Sequence, residues 1–163
     1  MDSGQNRTTS SNPRSTATVG GHPIHPMLVP FPIVCFVGAF VTDLFFANGA
    51  GDGWAEASRW LLGFGLLTAA AAATAGIADF MGDDRIRRMG TAVKHMIANV
   101  TVVVIEIINL LIRTTTPDSE LTIGVYLSGL AVLVLIYSGW LGGHLVYVHK
   151  VGVHDRSDEH PSG

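Results

Sequence analysis

Four stretches of the chain are long, apolar and almost free of formal charge, and their lengths predict four membrane-spanning helices. Residues 27–42 carry no charge, and the apolar run continues past Asp43 to Ala47. Residues 60–78 are uncharged, residues 96–112 hold a single charge at Glu106, and residues 121–149 contain no Asp, Glu, Lys or Arg. Crossing ~30 Å of hydrocarbon takes ~20 mainly apolar residues, so each stretch is long enough for one passage. The predicted spans are about 27–47, 60–78, 95–112 and 121–148. Short connections join them, as packed antiparallel helices require. The fold expected is all-α: a four-transmembrane-helix antiparallel bundle over residues 21–153.

The connections and ends read differently. Asn48 to Arg59 is a glycine-rich turn with an amphipathic lead into the second helix, Asp79 to Lys94 is the most charged loop, and Arg113 to Glu120 holds the turn formers Pro117 and Asp118. Residues 1–20, rich in Ser, Thr and Asn, have little to bury and are expected to be a disordered tail, with a second flexible tail over 154–163. No short apolar stretch with a cleavage site precedes residue 27, so no secretory signal peptide is expected.

Composition narrows the function classes. Charged residues make up 14% of the 163 positions and hydrophobic residues 48%, against roughly 25% charged in an ordinary soluble domain. A formal charge of −3 does not suit a nucleic-acid binder. The single cysteine excludes a disulfide framework, a CxxC zinc site, a CxxCH haem attachment and an all-cysteine iron–sulfur cluster. Arg7, Arg14, Arg85, Arg87, Arg88, Lys94, Lys150 and Arg156 fall on the side of the bundle that holds both termini, against Arg59 and Arg113 on the other. The positive-inside rule then predicts a multi-pass protein of the inner (cytoplasmic) membrane with both termini cytoplasmic.

That topology brings all seven histidines to one side. His22 and His25 precede the first span, His95 starts the third and His144 nears the end of the fourth, with His149, His154 and His160 beyond. Four-helix bundles commonly build metal or cofactor sites from side chains on different helices, and imidazole serves both as a metal ligand and as an axial haem ligand. The plainer reading is that histidines occur at the wet membrane interface for solubility alone. His25, His95 and His144, drawn from three helices at similar depth, favour the site; His149, His154 and His160 read as solvated.

The third span adds a polar stripe. His95, Asn99, Glu106, Asn109 and Arg113 fall on one narrow helical face of an otherwise Val/Ile-rich segment. Asn99 and Asn109 either serve a site or hydrogen-bond neighbouring helices together. An ionisable group near the midplane points to function, and Glu106 is expected to face the interior as a neutral acid, with Tyr137 or Asn109 as its partner; the alternative is a carboxyl that only bridges helices. Gly65, Ala69, Ala72, Ala73 and Gly76 give the second span a small-residue face for close packing. Pro23, Pro26, Pro30 and Pro32 stiffen the entry to the first span, and Gly142–Gly143 leave space beside His144.

The opening GHPIHPMLVPFPIV, Asp43, the GIADF segment, His95 with Asn99, and the closing GGHLVYVHKVGV resemble the bacterial four-helix membrane domain catalogued as domain of unknown function 2231, over about residues 20–154. The resemblance implies redox work, through relatives fused to Rieske-type iron–sulfur or cytochrome domains. This chain carries no such extra domain, so its electron partner would be a separate protein.

The leading expectation is therefore a small b-type cytochrome exchanging electrons between quinone in the lipid bilayer and a separate electron-transfer protein on one membrane face. Haem b, held noncovalently, would take His95 and His144 as axial ligands, with His25 in reserve and His22 behind them. The runner-up is a non-haem zinc, copper or iron site from His22, His25, His95, His144 and Asp79, whose N/O ligands suit a divalent transition metal. A third reading is a structural or assembly protein with no cofactor. A homo-oligomer is compatible with all three, and no catalytic residue or enzymatic reaction is assigned.

Overall fold

Where proline and glycine interrupt the apolar runs, the helices begin and end. The computed structural model describes residues 12–116 and 120–153. A two-stranded hairpin, β1 (Thr18–Val19) with β2 (His22–Pro23), leads into a short helix α1 (Ile24–Leu28) and then α2 (Pro30–Ala47). Gly20 and Gly21 make the hairpin turn with φ of 56° and 82°, values that suit a two-residue turn built from glycine. Pro30 has no amide hydrogen for the helical ladder, so α1 and α2 meet in a break. The two still form one continuous crossing over Ile24–Ala47. Helix α3 (Gly53–Gly82) is followed by the five-residue α4 (Asp84–Arg88), then α5 (Gly90–Thr115), a π-helical turn over Glu120–Gly124, and α6 (Val125–Tyr147).

The four predicted spans are present as four helical segments long and apolar enough to cross a membrane, and the chain is an integral membrane protein with an all-α four-helix bundle. Three of the four run longer than the sequence reading, the second most of all. Helix α3 runs from Gly53 rather than from about residue 60, because the amphipathic lead through Glu56 and Arg59 continues the helix instead of forming a loop. Its 30 residues reach about 45 Å at 1.5 Å each, longer than the hydrocarbon alone requires.

Helices α2 and α5 each pack against both α3 and α6, so the four form a closed ring in which α2 and α5 lie opposite one another. The centre is narrow because it is built from small residues. Ala55, Ser58, Leu62, Gly65, Ala69, Ala72 and Ala75 recur every three or four positions along the buried face of α3. A Cβ at Gly65 would come within 2.5 Å of the Phe36 ring, so the close approach of α2 and α3 depends on glycine there. Phe36, Ala39, Leu62, Ala69, Val102 and Ala131 form the buried core. Large apolar side chains face outward instead, including Leu67, Leu133, Ile136 and Trp140. Such an apolar exterior fits lipid and would be a liability in water.

Residues 12–20 differ from the expectation of a tail with nothing to hold it. Asn12 Nδ2 donates to the Val153 carbonyl, the Gly152 amide to the Pro13 carbonyl, and the Arg14 amide to Asp83. The segment is a strap fastened by hydrogen bonds rather than by apolar burial, which is why its polar composition concealed it. It ties residues 12–20, the α3–α4 turn and the segment after α6 together at one end of the bundle. Residues 1–11 and 154–163, and with them His154 and His160, lie outside the described residues.

Candidate functional site

Polar side chains enter the bundle at two places, one near each end, and at both they reach across the centre between the first crossing and α5. At the strap end the side chains are His25 and His95. The His25 Nδ1 lies 2.8 Å from the Ala72 carbonyl, and the His95 Nδ1 lies 2.9 Å from the Ser138 carbonyl. A carbonyl can only accept, so each ring carries a proton on Nδ1. The ring centroids are 6.4 Å apart with planes at 84°. Asn99 Nδ2 donates to His95 Nε2 at 3.1 Å and to the His95 carbonyl at 2.9 Å. Two glycines make room for the rings. A Cβ at Gly76 would fall 2.8 Å from His25, and one at Gly142 would fall 3.1 Å from His95.

The expected pairing of His95 with His144 is not what the structure brings together. The antiparallel register sets His95 beside Ser138 and Gly142, and His144, two residues past Gly142, is turned about 200° away from that face of α6. His144 is exposed, with its ring 5.6 Å from that of His149. The space made by Gly142 holds the His95 ring, not His144. His22 is exposed on the hairpin. Asp79 is engaged by the strap: its Oδ1 accepts from Ser15 Oγ at 2.7 Å and from the Thr16 and Ala17 amides at 2.8 Å. Among the described residues no group of three or more His, Cys, Asp or Glu is placed to hold a metal ion. The five-residue donor set of the non-haem alternative is therefore not assembled.

The other site lies one to two turns inside the opposite end. Arg113 and Asp43 form a two-point ion pair, Nη1 to Oδ1 and Nη2 to Oδ2, both at 2.7 Å, with each residue 1% exposed. Ser58 accepts from Nη1 at 3.0 Å, Ser128 accepts from Nη2 at 3.1 Å, and Asn109 Oδ1 accepts from Nε at 2.8 Å. All five guanidinium N–H groups are thus used. Gly124 allows this placement, since a Cβ there would press on the guanidinium at 3.0 Å. Desolvating the two ions costs several kcal/mol each, and the two-point contact with its serine and amide partners offsets that cost. Asn109 Nδ2 donates to Ser128 and to Glu106 Oε2, both at 2.9 Å. Glu106 is fully buried, and its Oε1 has no hydrogen-bond partner.

The stripe on α5 is therefore a polar line, buried at Glu106, Asn109 and Arg113 and half-buried at His95 and Asn99, and Asn109 is the partner of Glu106. Tyr137 is not: it is about half exposed and sits beside Ser138, at the depth of His95, some eight residues along α6 from the level of Glu106. The sequence reading left out Ser58, Ser128 and the ion-pairing role of Asp43. It placed Arg113 on the polar stripe yet also counted it among the charges outside the bundle, whereas the guanidinium is inside.

No match was found among curated proteins or among solved structures. The sequence profile of the family described as "Predicted membrane protein (DUF2231)" matches residues 21–155, which include both sites and all four crossings. The chain belongs to that family.

Proposed function

We propose that this membrane protein is a small b-type cytochrome whose haem iron is held between His25 and His95. One observation carries the reading: two imidazoles from different helices, each with Nδ1–H fixed by a backbone carbonyl, stand with centroids 6.4 Å apart. Two imidazoles bonded in line to one metal ion through Nε2 have centroids about 6 Å apart, given metal–N bonds of ~2.0–2.1 Å. Anchoring Nδ1–H on a carbonyl fixes the tautomer and ring direction that ligation through Nε2 needs. A bare zinc ion asks for four ligands, while haem brings four nitrogens and asks the protein for an axial pair. The donor set fits the second demand. Ligation at His95 takes the lone pair that Asn99 now bonds, and Asn99 keeps its bond to the His95 carbonyl.

Haem supplies one-electron chemistry, and this chain's residues orient the rings and exclude water. A shallow groove of about 240 Å³, lined by Lys94, Ile97, Ala98, Val134 and Tyr137, opens to the lipid next to His95. Its apolar floor and two polar side chains suit a quinone, with a separate electron-transfer protein meeting the same end. The charge asymmetry supports placing that end, with both termini, in the cytoplasm. Burial of Arg113 leaves Arg59 as the one Lys or Arg outside the core at the far end among the described residues.

Visible absorption of protein produced with ample haem tests the proposal. The wild type and His144→Ala are expected to show a low-spin Soret spectrum, which His25→Ala and His95→Ala lose. Folded, colourless wild-type protein rules the proposal out.

A further inference from the structure

Glu106 lies far from the imidazole pair and belongs to no part of the haem reading. It sits eleven residues beyond His95 on α5, about 16 Å along the helix axis, in the interior of a span. It is 0% exposed. The charged groups facing it are Asp43 from α2 and Arg113 from its own helix; α3 contributes Ser58 and α6 contributes Ser128, neither of which titrates. Asp43 and Arg113 cancel one another through their two-point contact, so the cluster is neutral only when Glu106 carries a proton. An ionised Glu106 would leave one uncompensated negative charge among helices that face hydrocarbon.

The two carboxyl oxygens are not equivalent. Oε2 accepts from Asn109, which fixes it as the carbonyl-like oxygen of the acid, while Oε1 is buried without a partner. The amide of Asn109 also relays the Arg113 charge: Nε donates to its Oδ1, and its Nδ2 donates to Glu106. That polarised link stabilises the carboxylate when it forms, so the cluster supports both states of the acid. We propose that Glu106 is an exchangeable proton-binding site inside the bundle, with Oε1 as the atom that takes and gives the proton. The step is a proton transfer alone: hydronium gives its proton to the Glu106 carboxylate and leaves water, and the reverse step restores the carboxylate.

Infrared spectroscopy of the purified protein in lipid nanodiscs, titrated with pH in light and heavy water, tests this directly. The wild type is expected to show a protonated-carboxyl carbonyl band that shifts in heavy water and disappears reversibly as pH rises. Glu106→Gln is expected to lose that band, and Glu106→Asp to keep one at a changed frequency. Carbon-13 labelling of glutamate in the wild type assigns the band to a glutamate without any substitution, and its loss in Glu106→Gln names the residue. Absence of the band at every pH, a band that never titrates, or a band insensitive to glutamate labelling would each overturn the proposal. A titration midpoint that moves with sodium concentration would also overturn it, in favour of a metal-cation site.

Discussion

A fully desolvated arginine with every N–H used sets the energetics at the scale of single residues. Truncating one partner of such a pair strands the other charge and costs about 3–5 kcal/mol, whereas replacing both by apolar groups of similar size is often neutral. Asp43→Leu and Arg113→Met are therefore each expected to lower unfolding stability in detergent by that amount, and their combination is expected to cost less than either. Additive losses in the combined variant would show that the pair is not coupled. This contact was half legible in the sequence. Asp43 interrupts an apolar run and Arg113 ends another, and an ionisable group in a span calls for a partner of opposite charge. Their depth match across the bundle depends on helix limits that the charge pattern locates only to a few residues. Glu106 was legible because it alone breaks its run. His144 misled for the opposite reason: sequence order placed it at the depth of His95, but two residues past Gly142 on α6 it faces outward.

The elements explain what the composition of the ends concealed. A segment of Ser, Thr and Gly can be held entirely by hydrogen bonds to acceptors at a helix end, and Asp79 and Asp83 supply those acceptors. Apolar periodicity cannot reveal such a strap, whereas it located the four crossings readily. Asp83 also accepts from the Arg85 side chain and amide. The Arg85 hydrogen bond is the main cause holding the Asp83 carboxyl down to about 2, with the Arg14 amide adding to it. A carboxylate with a lowered folded-state value contributes stability that is present above the unfolded value of ~3.9 and lost as pH falls through the folded one. The strap is thus expected to hold at neutral pH and to loosen between about pH 4 and pH 2. Carbon NMR of the Asp83 carboxyl checks this: a midpoint near 2 agrees, and one near 4 shows that the contacts with Arg14 and Arg85 do not form.

At the scale of the whole molecule, four crossings return the chain to the end from which it starts. Hydrogen bonds from Asn12 to Val153 and from Arg14 to Asp83 fix three separate segments there. Reporter fusions after residue 163 and within the Asn48–Asp52 turn are expected to report opposite sides of the membrane, the first cytoplasmic; matching signals would contradict the topology. The bundle then carries two polar contacts across its centre, imidazoles at the strap end and an ion pair with its acid at the far end, separated by an apolar core. The central claim is that the first of these is an axial ligand pair. Its most direct test is the low-temperature electron paramagnetic resonance spectrum of the oxidised, haem-loaded protein. Ligation of the haem by both imidazoles would give a low-spin ferric signal. A high-spin signal, or no haem signal at all, would contradict ligation by His25 and His95.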